Sequence, residues 1–230
     1  MKKYFVTGTD TEVGKTFVAS SMLNLLSRQG ERCFGLKPIA SGCEKIVGKW
    51  MNEDALSLIE NSSISLPYED VNPIALPEAI APHLAAKKNN IDLSVNDISN
   101  HCRKIFKQNE AAADYSLVEG AGGWFVPLND EETYADVIKV LNLDVILVIG
   151  IRLGCINHAL LTESAIQQSG LKLTGWVANT VSVDVPNQKE IVQTLKQKIN
   201  APCMGVIPYL AGNKYSENIL MASDFLRTPE

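Results

Sequence analysis

Short, largely apolar runs alternate along most of this chain with segments whose apolar positions recur every three or four residues. The runs are Tyr4–Thr7, Cys33–Lys37, Tyr115–Glu119, Val145–Ile149, Gly175–Asn179 and Met204–Ile207. Runs with so few polar interruptions suit strands covered on both faces, which means a parallel sheet. Between the first two, Val18, Met22, Leu25, Leu26 and Gln29 fall on one helical face, and Gly30 is placed to end that helix. Ser94-x-x-Asp97 is a capping-box pattern opening a helix with Val95, Ile98, Cys102, Ile105 and Phe106 on one side. Thr133-x-x-Asp136 repeats it ahead of Val137, Ile138 and Leu141. The alternation predicts an α/β fold, a largely parallel sheet flanked by helices on both faces, in one domain spanning residues 1–230. Ser62–Asn90 breaks the rhythm, because Pro67, Pro73, Pro77 and Pro82 fall within sixteen positions. That stretch reads as an extended loop with a short helix around Glu78, an excursion from the same domain.

Composition narrows the classes. Hydrophobic residues at 46% and charged ones at 20% exclude a disordered chain. A net charge of −5 leaves no general basic surface for nucleic acid or an anionic membrane. The longest strictly apolar run, Val145–Ile149, is too short to span a bilayer, and the few apolar residues after Lys3 are too short for a signal core. The expectation is a cytoplasmic chain. The five cysteines contain no C-x-x-C and the three histidines no H-x-x-x-H, so an expected metal is a hard cation held by oxygen.

The strongest chemical signal is Gly8-Thr-Asp-Thr-Glu-Val-Gly14-Lys15-Thr16, after an apolar strand and before an amphipathic helix. In that setting backbone N–H groups and a helix N-terminus face an anion. Lys15 reaches the β- and γ-phosphates of a nucleotide and the Thr16 hydroxyl ligates Mg²⁺. Five residues rather than four separate Gly8 from Gly14, a departure from the usual P-loop NTPase spacing. Other polar or glycine-rich clusters end the other strands: Lys37–Gly42, Glu119–Gly123, Gly150–Asn157, Asn179-Thr180 and Pro208-Tyr209. In a parallel sheet these ends share one edge, where ligands of doubly wound folds bind. Glu119 can reach a metal there. Asp54 alone reads equally as a cap or a solvated charge, Lys37 as a surface lysine, and Asn157 as the cap of the helix through Ala159–Ile166.

Taken together, these residues resemble the dethiobiotin synthetase family over nearly the whole chain. The likeness rests on Gly8–Thr16, Lys37–Gly42, Val71-Asn-Pro73, Val118–Trp124, Leu153–His158 and Gly175–Asn179, and the long Gly8–Gly14 spacing is that family's form of the loop. The resemblance implies a homodimeric P-loop ATPase that converts 7,8-diaminononanoate, CO₂ and MgATP to dethiobiotin, ADP and phosphate, the penultimate step to biotin. It implies that Thr16, Asp54 and Glu119 hold Mg²⁺, that Lys15 and Lys37 are catalytic, and that Glu12, Val13, Gly14, Lys15, Thr16 and Phe17 contact ATP. Asp54, Glu119, Gly120, Ala121 and Gly122 would join the ATP site, with Asn179, Thr180, Pro208, Tyr209 and Leu210 around the adenine. Thr11, Lys37 and Ser41 would face the diamine and its carbamate. Gly154, Cys155 and Asn157, from the partner subunit, would receive the substrate carboxylate. A MinD/ParA-like switch and an amide-forming ligase of the cobyrinic acid diamide type are rivals on the same fold. Asp10 stands where the first carries its signature lysine, and no basic tail follows. The second needs an ammonia source that 230 residues leave no room for. Both Lys15→Ala and Glu119→Ala are expected to abolish ATP turnover without unfolding the protein.

Overall fold

The computed structural model describes residues 1–209. Strand β1 (Lys2–Gly8) and helix α1 (Lys15–Arg28) frame the glycine-rich loop, and β2 (Cys33–Leu36) follows. Three short strands come next, β3 (Ile39–Ser41), β4 (Glu44–Ile46) and β5 (Lys49–Met51), then helices α2 (Glu53–Asn61) and α3 (Tyr68–Val71). Strand β6 (Ile74–Leu76) and helix α4 (Pro82–Lys88) lead to α5 (Val95–Asn109) and β7 (Tyr115–Glu119). The remainder is α6 (Tyr134–Leu141), β8 (Asp144–Ile151), α7 (Cys155–Gln168), β9 (Leu173–Thr180), α8 (Gln188–Lys198) and β10 (Cys203–Ile207).

Six strands form the main sheet in the order β10-β9-β8-β1-β7-β2, and every neighbouring pair is parallel. Successive side chains point to opposite faces. Phe5, Val145, Leu147 and Trp176 therefore pack on one side, beneath α5, α6, α7 and α8. Tyr4, Val6, Ile146, Val148 and Val177 pack on the other, beneath α1 and α2. Burial on both faces explains why these strands lack polar alternation. Their parallel sense brings the six carboxyl ends to one edge.

The helix signals hold. Gly30, at φ +81°, follows the last residue of α1 and its capping Gln29. The Ser94 hydroxyl accepts the Asp97 N–H, and the Asp136 carboxylate accepts both the N–H and the hydroxyl of Thr133. The Ser62–Asn90 expectation is corrected. It carries α3, β6 and α4, with no helix at Glu78, which lies in a bend. Strand β6 pairs in parallel with β3, Ile39 opposite Ile74 and Ser41 opposite Leu76. The ladder starts earlier: the Lys37 N–H donates to the Val71 carbonyl at 2.9 Å and the Ile74 N–H to Pro38 at 3.2 Å. Lys37 itself lies just beyond β2, which stops at Leu36.

Candidate active site

The loop after β1 wraps into α1 through Gly14, the N-cap residue, at φ +87° with no side-chain cap. The first turn of α1 carries no acidic residue, so its positive end stays open to an anion. Val13 is buried and packs beneath the loop. Asn179, at the end of β9, donates its amide Nδ2 to the Val13 carbonyl at 2.9 Å and holds the loop against the sheet. Lys15 is nearly enclosed and donates to the Asp10 carbonyl at 2.9 Å. Burial, with Lys37 nearby, lowers its pKa to about 8.

Lys37 is the most consequential group. It is 4% exposed, and its Nζ lies 2.6 Å from Glu119 Oε1, 3.0 Å from Asp54 Oδ2 and 3.2 Å from the Gly120 carbonyl. Burial opposes its charge, but Glu119 and then Asp54 outweigh burial and hold its pKa above the ordinary lysine value. Burial likewise pushes Asp54 up, and Lys37 together with the Thr16 hydroxyl brings it below its usual value. Glu119 is fully buried; its Oε1 also accepts the Thr16 hydroxyl at 2.7 Å, while its Oε2 has no protein partner. A buried carboxylate oxygen left unpaired beside a hydroxyl and a second carboxylate suits a hard divalent cation. Glu119 is therefore no solvent-accessible group, and the premise on which Glu119→Ala was expected to leave folding intact fails.

These groups line one cleft of about 800 Å³. Thr11, Glu12, Gly14, Lys15, Thr16 and Phe17 enter it from the loop and α1. Lys37, Ser41 and Asp54 close one side, and Glu119, Ala121 and Gly122 another. The buried Ser41 hydroxyl has no protein partner. Ala79, Ile80 and Ala81 supply a wall that the periodicity of the sequence gave no means of finding, because it belongs to the proline-rich stretch. Asp54 lies in the first turn of α2, whose N-cap is Asn52, so its cap reading fails.

Other candidates lie elsewhere. Val13, Gly120, Asn179 and Thr180 are buried outside the cleft lining. Thr180 donates to the Ile207 carbonyl and accepts from Gln188. Pro208 and Tyr209 are exposed just past β10, and Leu210 lies outside the described residues. Gly154, Cys155 and Asn157 do not line the cleft of their own chain. Gly154, at φ +88°, is the N-cap of α7, so Asn157 is the third helical residue and no cap. The Cys155 side chain is buried, and its N–H is taken by the Arg152 carbonyl at 3.1 Å. Leu153 beside them is 97% exposed. Arg152 reaches back to pair with Asp10 on the phosphate loop.

Comparisons with known proteins speak to the fold and the family. A solved structure of the septum site-determining protein MinD complexed with Mg-ADP, from Pyrococcus horikoshii OT3, superposes with a TM-score of 0.57, covering 98% of this chain and 93% of that one. At 14% identity it speaks for the fold alone. A family model described as an AAA domain matches residues 2–214. The ATP-dependent dethiobiotin synthetase BioD of Cellvibrio japonicus (strain Ueda107) is 49% identical over 210 residues, 91% of this chain and 90% of that one. ATP-dependent dethiobiotin synthetase BioD 1 of Escherichia coli O157:H7 is 47% identical over 212 residues, 92% of each chain. With near-half identity over more than nine-tenths of its length, the chain belongs to the ATP-dependent dethiobiotin synthetase family.

Proposed function

We propose that the protein closes 7,8-diaminononanoate and CO₂ into dethiobiotin at the expense of ATP, releasing ADP and phosphate. One observation carries the reading: an open helix N-terminus with Lys15, and a buried second ammonium, Lys37, meet in one cleft from different strand ends. The first suits a nucleotide's phosphates. The second suits a further anion beside the terminal phosphate, which simple ATP hydrolysis does not require.

In this reading one amine adds CO₂ to form a carbamate, and a carbamate oxygen attacks the γ-phosphorus while ADP leaves. The second amine then attacks the carbon of the mixed anhydride and expels phosphate, closing the five-membered urea. Lys15 and the α1 N–H groups hold the phosphates; Lys37 steadies charge on carbamate and phosphoryl oxygens. Such preorganised groups are each worth about 10²–10³ in rate. Thr11 and Ser41 orient the diamine, and holding both amines beside the activated carbon makes ring closure intramolecular. Thr16, Asp54 and Glu119 would hold Mg²⁺, which when bound neutralises charge on the phosphate oxygens. Asp54 and Glu119 already grip Lys37, so ammonium and metal would share them.

Asn179, Thr180, Pro208, Tyr209 and Leu210 form the adenine end in this reading. Gly154, Cys155 and Asn157 of a second subunit receive the substrate carboxylate at a homodimer interface. The test is incorporation of labelled bicarbonate into a neutral urea product from diaminononanoate and MgATP. ATP hydrolysis without label in such a product would overturn the reading.

A further inference from the structure

The Val71-Asn-Pro73 motif stands apart from the cleft, and none of the roles above uses it. Asn72 is buried and every polar atom of its side chain is engaged. Its Nδ2 donates to the Lys37 carbonyl at 2.6 Å and to the Ile74 carbonyl at 3.3 Å. Its Oδ1 accepts the Tyr68 hydroxyl at 2.8 Å. That hydroxyl in turn accepts the Asn52 N–H at 2.7 Å. Asn52 Oδ1 caps α2 by accepting the N–H groups of Asp54 and Ala55, and its Nδ2 donates to the Ser41 carbonyl at 3.4 Å. One chain of hydrogen bonds thus fixes the backbones of Lys37, Ser41 and Asp54, which all line the cleft. Burial keeps Tyr68 protonated, with its pKa raised to about 12, so the hydroxyl can donate to one asparagine while accepting from the other.

We propose that Tyr68 and Asn72 are positioning residues that set Lys37 against Asp54, acting through the main chain and touching neither phosphate nor substrate. The inference rests on the role given above to Lys37. Two features separate it from a packing role. Phenylalanine at position 68 would fill nearly the same space while leaving Asn72 Oδ1 and the Asn52 N–H without that partner. The phosphate loop, Gly8–Thr16, takes no part in the network, so nucleotide grip and chemistry should separate.

Groups that orient active residues from behind typically govern about 10- to 100-fold in activity. Tyr68→Phe should lower kcat about tenfold and Asn72→Ala about a hundredfold. ATP affinity by calorimetry should stay within about threefold of wild type, because the α1 N-terminus is untouched. The deciding arm repeats Tyr68→Phe in a Lys37→Gln background, read by single-turnover labelled-bicarbonate incorporation. With no ammonium left to place, the added loss should be under about twofold, as expected for residues acting as one unit. A tenfold loss in both backgrounds, or a wild-type kcat in Tyr68→Phe whatever its melting temperature, would overturn the inference. Should Lys37→Gln alone turn over normally, the role of Lys37 falls first and this inference with it. Asn72→Ala tests the larger effect, and Tyr68→Phe decides the matter where that variant fails to fold.

Discussion

At the scale of single residues, burial decides what each charge does. Lys15 and Glu119 both end strand–loop transitions rich in glycine, and nothing local in the sequence tells them apart. Glu119 is buried at the base of the cleft with Lys37 against it, so Glu119→Ala takes one of two carboxylates from a buried ammonium and leaves Asp54 and the Gly120 carbonyl. Removing one of the two carboxylates should cost less than a wholly unpaired buried charge, about 3–5 kcal/mol, and the variant should lose turnover and melt below wild type in calorimetry. Lys15→Ala should lose turnover while melting like wild type, because its ammonium is desolvated against only a carbonyl. Lys37→Gln keeps a donor for Glu119 and should fold; its turnover should drop about 10²–10³-fold with little change in ATP affinity, checked by calorimetric titration. The pH response follows from Lys15, whose pKa lies at about 8 in the folded protein against an ordinary 10.5. Phosphates favour the charged form, so ATP binding raises this pKa and takes up protons near pH 8. Affinity should be full below about pH 8 and fall as pH rises through it. Titrations at pH 8.5 in buffers of different ionisation enthalpy should show that uptake, and Lys15→Ala should abolish it. For folding the sign is the reverse of a stabilised lysine: unfolded chains bind more protons between about pH 8 and 10.5, so this group's penalty is relieved as pH rises there.

At the scale of elements, the six main strands and helices α1, α5, α6 and α7 were legible, because burial on both faces leaves an unbroken apolar run and helical faces repeat at 3.6 residues. Strand ends shifted by a residue or two, as for Lys37, without moving any cluster off its edge. Strands β3 and β6 and helix α3 were not legible, being three or four residues long with prolines among them. Their order is tertiary: the stretch is held by main-chain bonds to 37–43 that no local pattern encodes. The wall of Ala79–Ala81 and the support behind Lys37 went unseen for the same reason. The phosphate loop is the opposite case, where a local motif between strand and helix pointed to residues that line the cleft. Its geometry still depends on a distant strand. A Cβ on Gly14 would lie 2.2 Å from Asn179 Nδ2, at a φ of +87° that side chains resist. Gly14→Ala should therefore break the Asn179–Val13 bond and weaken ATP binding at least about tenfold, with the far-ultraviolet spectrum unchanged. Adding Asn179→Ala removes the clash but not the backbone strain of about 1–2 kcal/mol, so only part of the affinity should return.

At the scale of the whole molecule, the described residues that line the cleft do not include the loop read as the receptor of the substrate carboxylate. The implied substrate is an extended nine-carbon acid whose two amines lie at Lys37 and the γ-phosphate. Its carboxylate must then sit roughly 10 Å away, at about 1.25 Å per methylene. The loop read as its receptor, Gly154–Asn157, does not line this cleft, while Leu153 beside it is almost wholly exposed. The start of α7 remains suited to a carboxylate, with no acidic residue in its first turn, though the Cys155 N–H is already committed. In the homodimer proposed above, each subunit would offer this loop to the other's cleft. The expected outcome is complementation between two inactive variants, Lys37→Gln and Asn157→Asp, the second placed to repel the carboxylate. In a mixed dimer one site combines both lesions and the other has neither. After random re-association of equal amounts, half the dimers are mixed and each holds one good site of two, so activity should return to about one quarter of wild type. Subunit exchange is verified independently with differently tagged chains. If exchange is complete and activity stays at the level of the separate variants, the carboxylate contact lies within one chain, and the α7 N-terminus has to reach its own subunit's substrate by a movement of the loop that Arg152 ties to Asp10.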